Sequence, residues 1–154
     1  MEYQVVSREP IPMIGIELRT SNSMGKAMLD IPKHWEKFYR ENMLTKIPNR
    51  KSDDIIATYI DYESDHSGAY SLIIGCEVNE TEELPEGMIA KTIPGASFAM
   101  MTAKGPLPIS MINAWREIWS SDLKRTYSGD FELYGSRFRE CSPPEIDIFV
   151  AIES

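Results

Sequence analysis

Histidine and cysteine are scarce in this chain, with two of each among 154 residues. His34 and His66 are far apart, and neither joins Cys76, Cys141 or the acidic residues in a ligand spacing, so no metal site is expected. The two cysteines sit in no redox or zinc pattern and read as idle thiols of a reducing compartment. Glycines stand singly (Gly75, Gly95, Gly105), which excludes a phosphate-cradling loop, and no cofactor is expected. No apolar run approaches the ~18 residues of a membrane span. The N-terminus Met1-Glu2-Tyr3-Gln4 lacks the basic and apolar regions of a signal peptide. Positive charge is also short: 16 Lys and Arg face 24 Asp and Glu, a net charge of -8. Such a balance opposes direct binding of nucleic acid, whose phosphates need a basic face, and of an anionic membrane. A cytoplasmic protein is expected.

What the chain does hold is 42% hydrophobic residues and 10% aromatics, enough for a real core. They fall into an order that repeats. Tyr3 to Arg8 and Met13 to Thr20 read as strands turned by Glu9-Pro10-Ile11-Pro12. A helix follows, beginning near Asp30 as N-cap, with Pro32 in its first turn and an apolar face of Ile31, Trp35, Phe38 and Tyr39; a preceding helical turn over Met24 to Leu29 is left open. His34 is expected on its polar side. Strands from Ile55 to Tyr62 and Tyr70 to Val78 complete the half, joined through a turn that includes Asp65-His66-Ser67. Asn79 to Gly87, acidic and without periodicity, is the connector. Then Met88 to Ile93 and Ser97 to Lys104 read as a strand pair, Pro108 to Ser121 as a helix, and Phe131 to Tyr134 and Ile146 to Ile152 as strands. Met111, Trp115, Ile118 and Trp119 match Ile31, Trp35, Phe38 and Tyr39 at one constant offset. The expectation is a single domain over 1–154, with repeats of about 1–78 and 88–154 around a linker 79–87. Its fold class is α+β: an antiparallel sheet bearing two helices, with a pseudo-twofold groove between the repeats.

Aligning the third strands by their aromatics sets Tyr59-Ile60-Asp61-Tyr62 against Phe131-Glu132-Leu133-Tyr134. Glu132 then takes the place of an apolar residue, Ile60, and shares a strand face with Tyr134. If that face is buried, an unpaired carboxylate costs several kcal/mol or raises its pKa, and an organic cation would offset the penalty. The competing readings are a solvated glutamate, or one paired with Arg137 or Arg139. Trp35 and Trp115, at helical spacing, suit a core as well as a ligand platform.

The duplicated order, the run Ile93-Pro94-Gly95-Ala96-Ser97-Phe98-Ala99, Trp115-Arg116-Glu117-Ile118-Trp119 and Phe131-Glu132-Leu133-Tyr134 resemble the gyrase-inhibitor-like effector-binding domains. These are the ligand-sensing modules of AraC- and MerR-type transcription regulators. The nearest branch is that of the integron-cassette effector-binding proteins. The resemblance implies a groove that takes lipophilic, often cationic, drug-like molecules, with an acid at its floor. Carried over, Glu132 pairs with the cation and Tyr134, Tyr62, Tyr59, Trp115 and Trp119 supply aromatic faces, with Glu77 a second, weaker acid. Cation–π contacts of ~0.5–2 kcal/mol each would then add up. The two repeats consume the whole chain, so a transcription regulator or other protein is expected as a partner, not DNA itself. Two further functions fit the same family: hydrolysis of small electrophilic toxins with Glu132 as base, and inhibition of a topoisomerase through the acidic surface.

Overall fold

Two prolines decide how the strands are shared. Strand β1 (Gln4–Arg8) and strand β2 (Ile11–Ser21) are separated only by Glu9-Pro10, and strand β5 (Ile89–Ile93) and strand β6 (Ala96–Lys104) only by Pro94-Gly95. A two-residue hairpin needs positive φ at its first central position or at both; proline, with φ near −65°, excludes both turns in Pro94-Gly95, and in Glu9-Pro10 it leaves only a turn that would force Glu9, a non-glycine residue, to positive φ. Neither link therefore folds its strand back onto the next. Instead β1 pairs antiparallel with β6, and β5 pairs antiparallel with β2. The expected strand pair of Met88 to Ile93 with Ser97 to Lys104 does not form, and each half lends its first strand to the other.

The rest follows from this exchange. Strand β3 (Ile55–Ile60) pairs with strand β4 (Ala69–Glu77), and strand β7 (Asp130–Tyr134) with strand β8 (Glu145–Ile152). The halves join where β3 meets β7, giving an eight-stranded antiparallel sheet in the order β1-β6-β8-β7-β3-β4-β2-β5. That order is symmetric about the β7–β3 junction. The computed structural model describes residues 1–65 and 67–154; His66, and with it part of the Asp65-His66-Ser67 turn, lies outside the described residues.

Helix α1 (Lys26–Arg40) packs on β2 and β4, and helix α3 (Ile109–Trp119) packs on β6. Two short helices not expected from the sequence, α2 (Met43–Lys46) and α4 (Ser136–Glu140), follow α1 and β7. Matched helix positions share their environments. Phe38 and Ile118 are fully buried, Trp35 and Trp115 half-buried, and Tyr39 and Trp119 about half exposed.

Three expectations for α1 change. It starts at Lys26, a turn before Asp30, because Gly25 adopts a left-handed φ of 71° and ends the preceding 3-10 turn. Asp30 is then inside the helix and accepts a hydrogen bond from Thr20 Oγ1 at 3.0 Å, tying α1 to β2, while Pro32 is an interior residue. His34 is buried, not on the polar side, and its Nε2–H donates to the Ile16 carbonyl at 2.9 Å. Burial lowers its pKa, which keeps the ring neutral.

Alternation along the strands splits the core into two faces. Under the helices lie Ile14, Ile16, Ala57, Leu72, Ile74 and Tyr134, with Ala99, Met101, Ile148 and Val150 beneath α3. On the other face lie Met13, Ile56, Ile60, Ile73, Phe98, Phe131 and Phe149, the last two stacked at 4.4 Å. Among the described residues no helix is long and apolar enough to cross a membrane.

Gly15 and Gly75 face each other across the β2–β4 ladder, and a Cβ on Gly75 would overlap the Ile14 carbonyl oxygen and meet Gly15 Cα at 2.6 Å. Backbone leaves no flexible atom to give way. Gly75→Ala is expected to lower the unfolding free energy by about 1–3 kcal/mol, read from urea unfolding followed by tryptophan fluorescence.

Candidate functional site

The junction of the halves places one carboxylate at the centre of the sheet. Glu132 sits mid-strand in β7, opposite Ala57 of β3 and Ile148 of β8. Its side chain points to the helix face, where it is 2% exposed. The alignment by aromatics was one of opposite faces: Ile60 belongs to the core on the far side, and Ala57 is the apolar residue facing Glu132 across the junction. The physical cause is a register shift by an odd number of residues, which exchanges the faces of a strand.

Three neutral groups hold the carboxylate. Tyr59 OH and Trp115 Nε1 donate to Oε2 at 2.9 and 2.8 Å, and Tyr134 OH donates to Oε1 at 2.6 Å. They come from three elements: Tyr59 from the end of β3, Tyr134 from the end of β7, Trp115 from the middle of α3. Among the described residues Glu132 has no cationic partner within ion-pair distance. Arg137 pairs with Asp147 and Glu145, and Arg139 with Asp54, which removes the arginine partners that the sequence allowed. Burial pushes the Glu132 pKa above the ordinary carboxylate value, and the three donors offset part of that rise. Burial and the adjacent carboxylate also hold Tyr59 and Tyr134 well above the usual phenol range.

Rings enclose this carboxylate. Trp115 meets Tyr59 edge-on at 5.3 Å, and Trp35 of α1 meets Tyr134 edge-on at 4.9 Å, so both helix tryptophans reach the third-strand tyrosines. Tyr39 stacks on Trp35 at 6.0 Å. Trp119, 45% exposed, lies one turn beyond Trp115 on α3 and so stands toward the rim. Met28, Leu29 and Tyr39 on α1 and Ile109, Ile112 and Trp119 on α3 leave apolar surface exposed on both helices.

Two expected residues are placed elsewhere. Glu77 ends β4 and pairs with Lys51 at 3.2 Å, away from Glu132. Tyr62 does not reach Glu132 but donates to Asp130 Oδ2 at 2.6 Å.

Asp130 is the acid that sequence reading missed. It shares the strand face of Glu132, is 0% exposed, and accepts from Arg125 Nη2 at 2.7 Å and from the Ala151 amide at 2.8 Å. The signal was the alternation Asp130-Phe131-Glu132, lost by starting the strand one residue late. The Tyr70 ring lies between the two tyrosines, 5.7 Å from Tyr59 and 5.8 Å from Tyr62, while its OH donates to Asn22 Oδ1 at 2.8 Å; burial pushes its pKa up to about 12. Thus one buried carboxylate has an arginine and the other has only neutral donors.

Residues 4–152 match the family described as integron-associated effector binding proteins, Cass2, and the chain belongs to that family. It is 29% identical to a putative transcriptional regulator protein, YobU, of Bacillus subtilis, over 90% of both chains. It is 27% identical to the transcriptional regulator BrlR of Pseudomonas aeruginosa, of which it spans just over half, 56%. Among solved structures it resembles an integron cassette protein from the mobile metagenome of Vibrio cholerae, with a TM-score of 0.78, 26% identity, and 98% and 95% of the two chains covered. The fold is shared with SAV2435, solved bound to tetraphenylphosphonium, at a TM-score of 0.82, 18% identity and coverage of 100% and 95%.

The raised pKa has a consequence for stability. A carboxylate whose folded pKa exceeds its unfolded one favours folding while protonated, and that contribution is lost as pH rises through the folded value. Glu132→Gln should therefore gain on wild type as pH climbs above the reference 4.5. Urea unfolding from pH 4 to 8 checks this; a wild type that gains on the variant over that range would mean the three hydrogen bonds outweigh burial.

Proposed function

We propose that this effector-binding chain is a receptor for lipophilic organic cations, held between α1 and α3 above Glu132. The observation that carries this reading is a fully buried glutamate with three neutral donors and, among the described residues, no cation beside it. Desolvating a carboxylate costs several kcal/mol, and a positive charge in the same low-dielectric space removes that penalty. Tyr59, Tyr134 and Trp115 add ring faces whose quadrupoles attract a cation by ~0.5–2 kcal/mol each.

The hydrogen-bond count narrows the ligand. Oε2 already accepts twice and Oε1 once, so the carboxylate has room for about one further donor. A primary ammonium, with three N–H groups to satisfy, fits poorly; a quaternary ammonium, phosphonium or delocalised aromatic cation needs none. Because rings roof the carboxylate, binding requires one of them to turn aside. Trp115 is the best placed, being half-buried on a helix that packs on β6. Apolar surface on Ile112 and Trp119 next to it would meet the ligand body.

Tetraphenylphosphonium, the cation held by a protein of this fold, is the probe we would use, followed by tryptophan fluorescence and calorimetry. Saturable binding is expected, with affinity rising as pH passes upward through the Glu132 pKa, since the ionised form attracts the cation. Glu132→Gln should weaken it by about 1–3 kcal/mol, with little change for a neutral aromatic of similar shape. Equal affinity in wild type and variant would remove Glu132 from the site. Mass analysis of the ligand after incubation separates a receptor from a hydrolase that uses the same carboxylate.

A further inference from the structure

The structure holds the same chemistry twice, and only one copy is filled. Asp130 and Glu132 lie two residues apart on one face of β7, a separation of about 6.7 Å along the strand. Around Asp130 the protein supplies its own cation: Arg125, with a side chain 5% exposed, pairs with Asp130 and lies 4.4 Å over the Tyr127 ring. Tyr127 in turn meets Tyr62 edge-on at 5.3 Å. A carboxylate, a cation and aromatic rings are thus complete there, whereas Glu132 has the carboxylate and rings alone.

The Arg125 pair is more than a tie between loop and strand. Its Nε and Nη1 are buried with no hydrogen-bond partner among the described residues. Leaving two nitrogens of a guanidinium unsatisfied is costly, and a neutral residue at 125 with a neutral residue at 130 would avoid the cost. The backbone holds the arginine in place all the same: Arg125 bridges Ile152, the Thr126 amide donates to the Ala151 carbonyl, and Tyr127 takes a φ of 58°. What the buried charge provides is electrostatic. Without it, two buried carboxylates would stand unneutralised two residues apart on one face of β7.

We propose that Arg125 is a specificity-determining residue: by neutralising Asp130 it leaves the space above β7 with one net negative charge, matched to a monocation. This rests on reading the Glu132 site as a cation receptor. At such distances and an effective dielectric constant near 20, one added or removed charge changes cation affinity by on the order of tenfold or more.

The test is a charge cycle on the full chain, read by calorimetry. Asp130→Asn keeps Arg125 charged, since a guanidinium does not deprotonate in a protein, and brings the site to zero net charge. Its affinity for tetraphenylphosphonium should fall about tenfold, with a neutral aromatic of similar shape unchanged. Adding Arg125→Gln to Asp130→Asn restores one negative charge and should return affinity to within about twofold of wild type. A purely structural pair predicts the opposite: the double variant binds no better than Asp130→Asn, and that result overturns the proposal.

Should Asp130→Asn fail to fold, Arg125→Gln at pH 9 gives the other sign. There the affinity ratio of dibenzyl viologen, an aromatic dication, to tetraphenylphosphonium should rise about tenfold over wild type. An unchanged ratio in the folded variant overturns the role of Arg125. Failure of folded wild type to bind tetraphenylphosphonium overturns the receptor reading itself, and this inference with it; wild-type binding with no response in the cycle overturns Arg125 alone.

Discussion

A glutamate in the middle of a central strand, with no positive charge beside it among the described residues, is the constraint on which this structure turns. The sheet could have been closed at that point with another apolar residue, as Ala57 does directly across the junction. Keeping an acid there requires donors that do not cancel its charge, and the chain provides two phenols and an indole. Neutral donors stabilise the ionised form enough to limit the pKa rise without satisfying it electrostatically. The outcome is a buried carboxylate held by neutral donors alone among the described residues, the feature on which the proposed cation receptor rests.

The architecture serves that arrangement. Exchange of the first strands, imposed by the prolines at the two short links, locks the halves into one sheet and brings β3 against β7. Each half then contributes a helix with a tryptophan at the same phase and a tyrosine at the end of its third strand. The walls are near-symmetric. The chemistry is not: Trp115 reaches the carboxylate with its N–H, while Trp35 meets Tyr134 with its ring edge. Departure from symmetry at residues 57 and 132 sets a carboxylate where the other half has a methyl group.

Much of this was legible in the sequence, for definite reasons. The aromatic period of both helices, their constant offset and the resemblance to a duplicated effector-binding fold gave the α+β class and drew attention to Glu132, Tyr134 and Trp115. The strand exchange was not legible, because pairing partners are non-local and a proline link only says where a hairpin cannot form. The match of Ile60 with Glu132 failed since aromatic residues on opposite faces look alike in one dimension. Asp130 and Arg125 escaped notice because a loop arginine and a strand-edge aspartate are usually solvated, and only the return of residues 125–126 along β8 buries them. Glu77, by contrast, looked strand-borne and acidic, yet it ends its strand within reach of Lys51.

On the proposed reading, the Glu132 charge is uncompensated until a cation arrives. The most direct measurement is the pKa of its carboxyl carbon by 13C NMR, with and without saturating tetraphenylphosphonium and assigned through the Glu132→Gln spectrum. A value above the ordinary carboxylate range is expected in the free protein, dropping when the cation binds. A pKa unmoved by bound cation would contradict it.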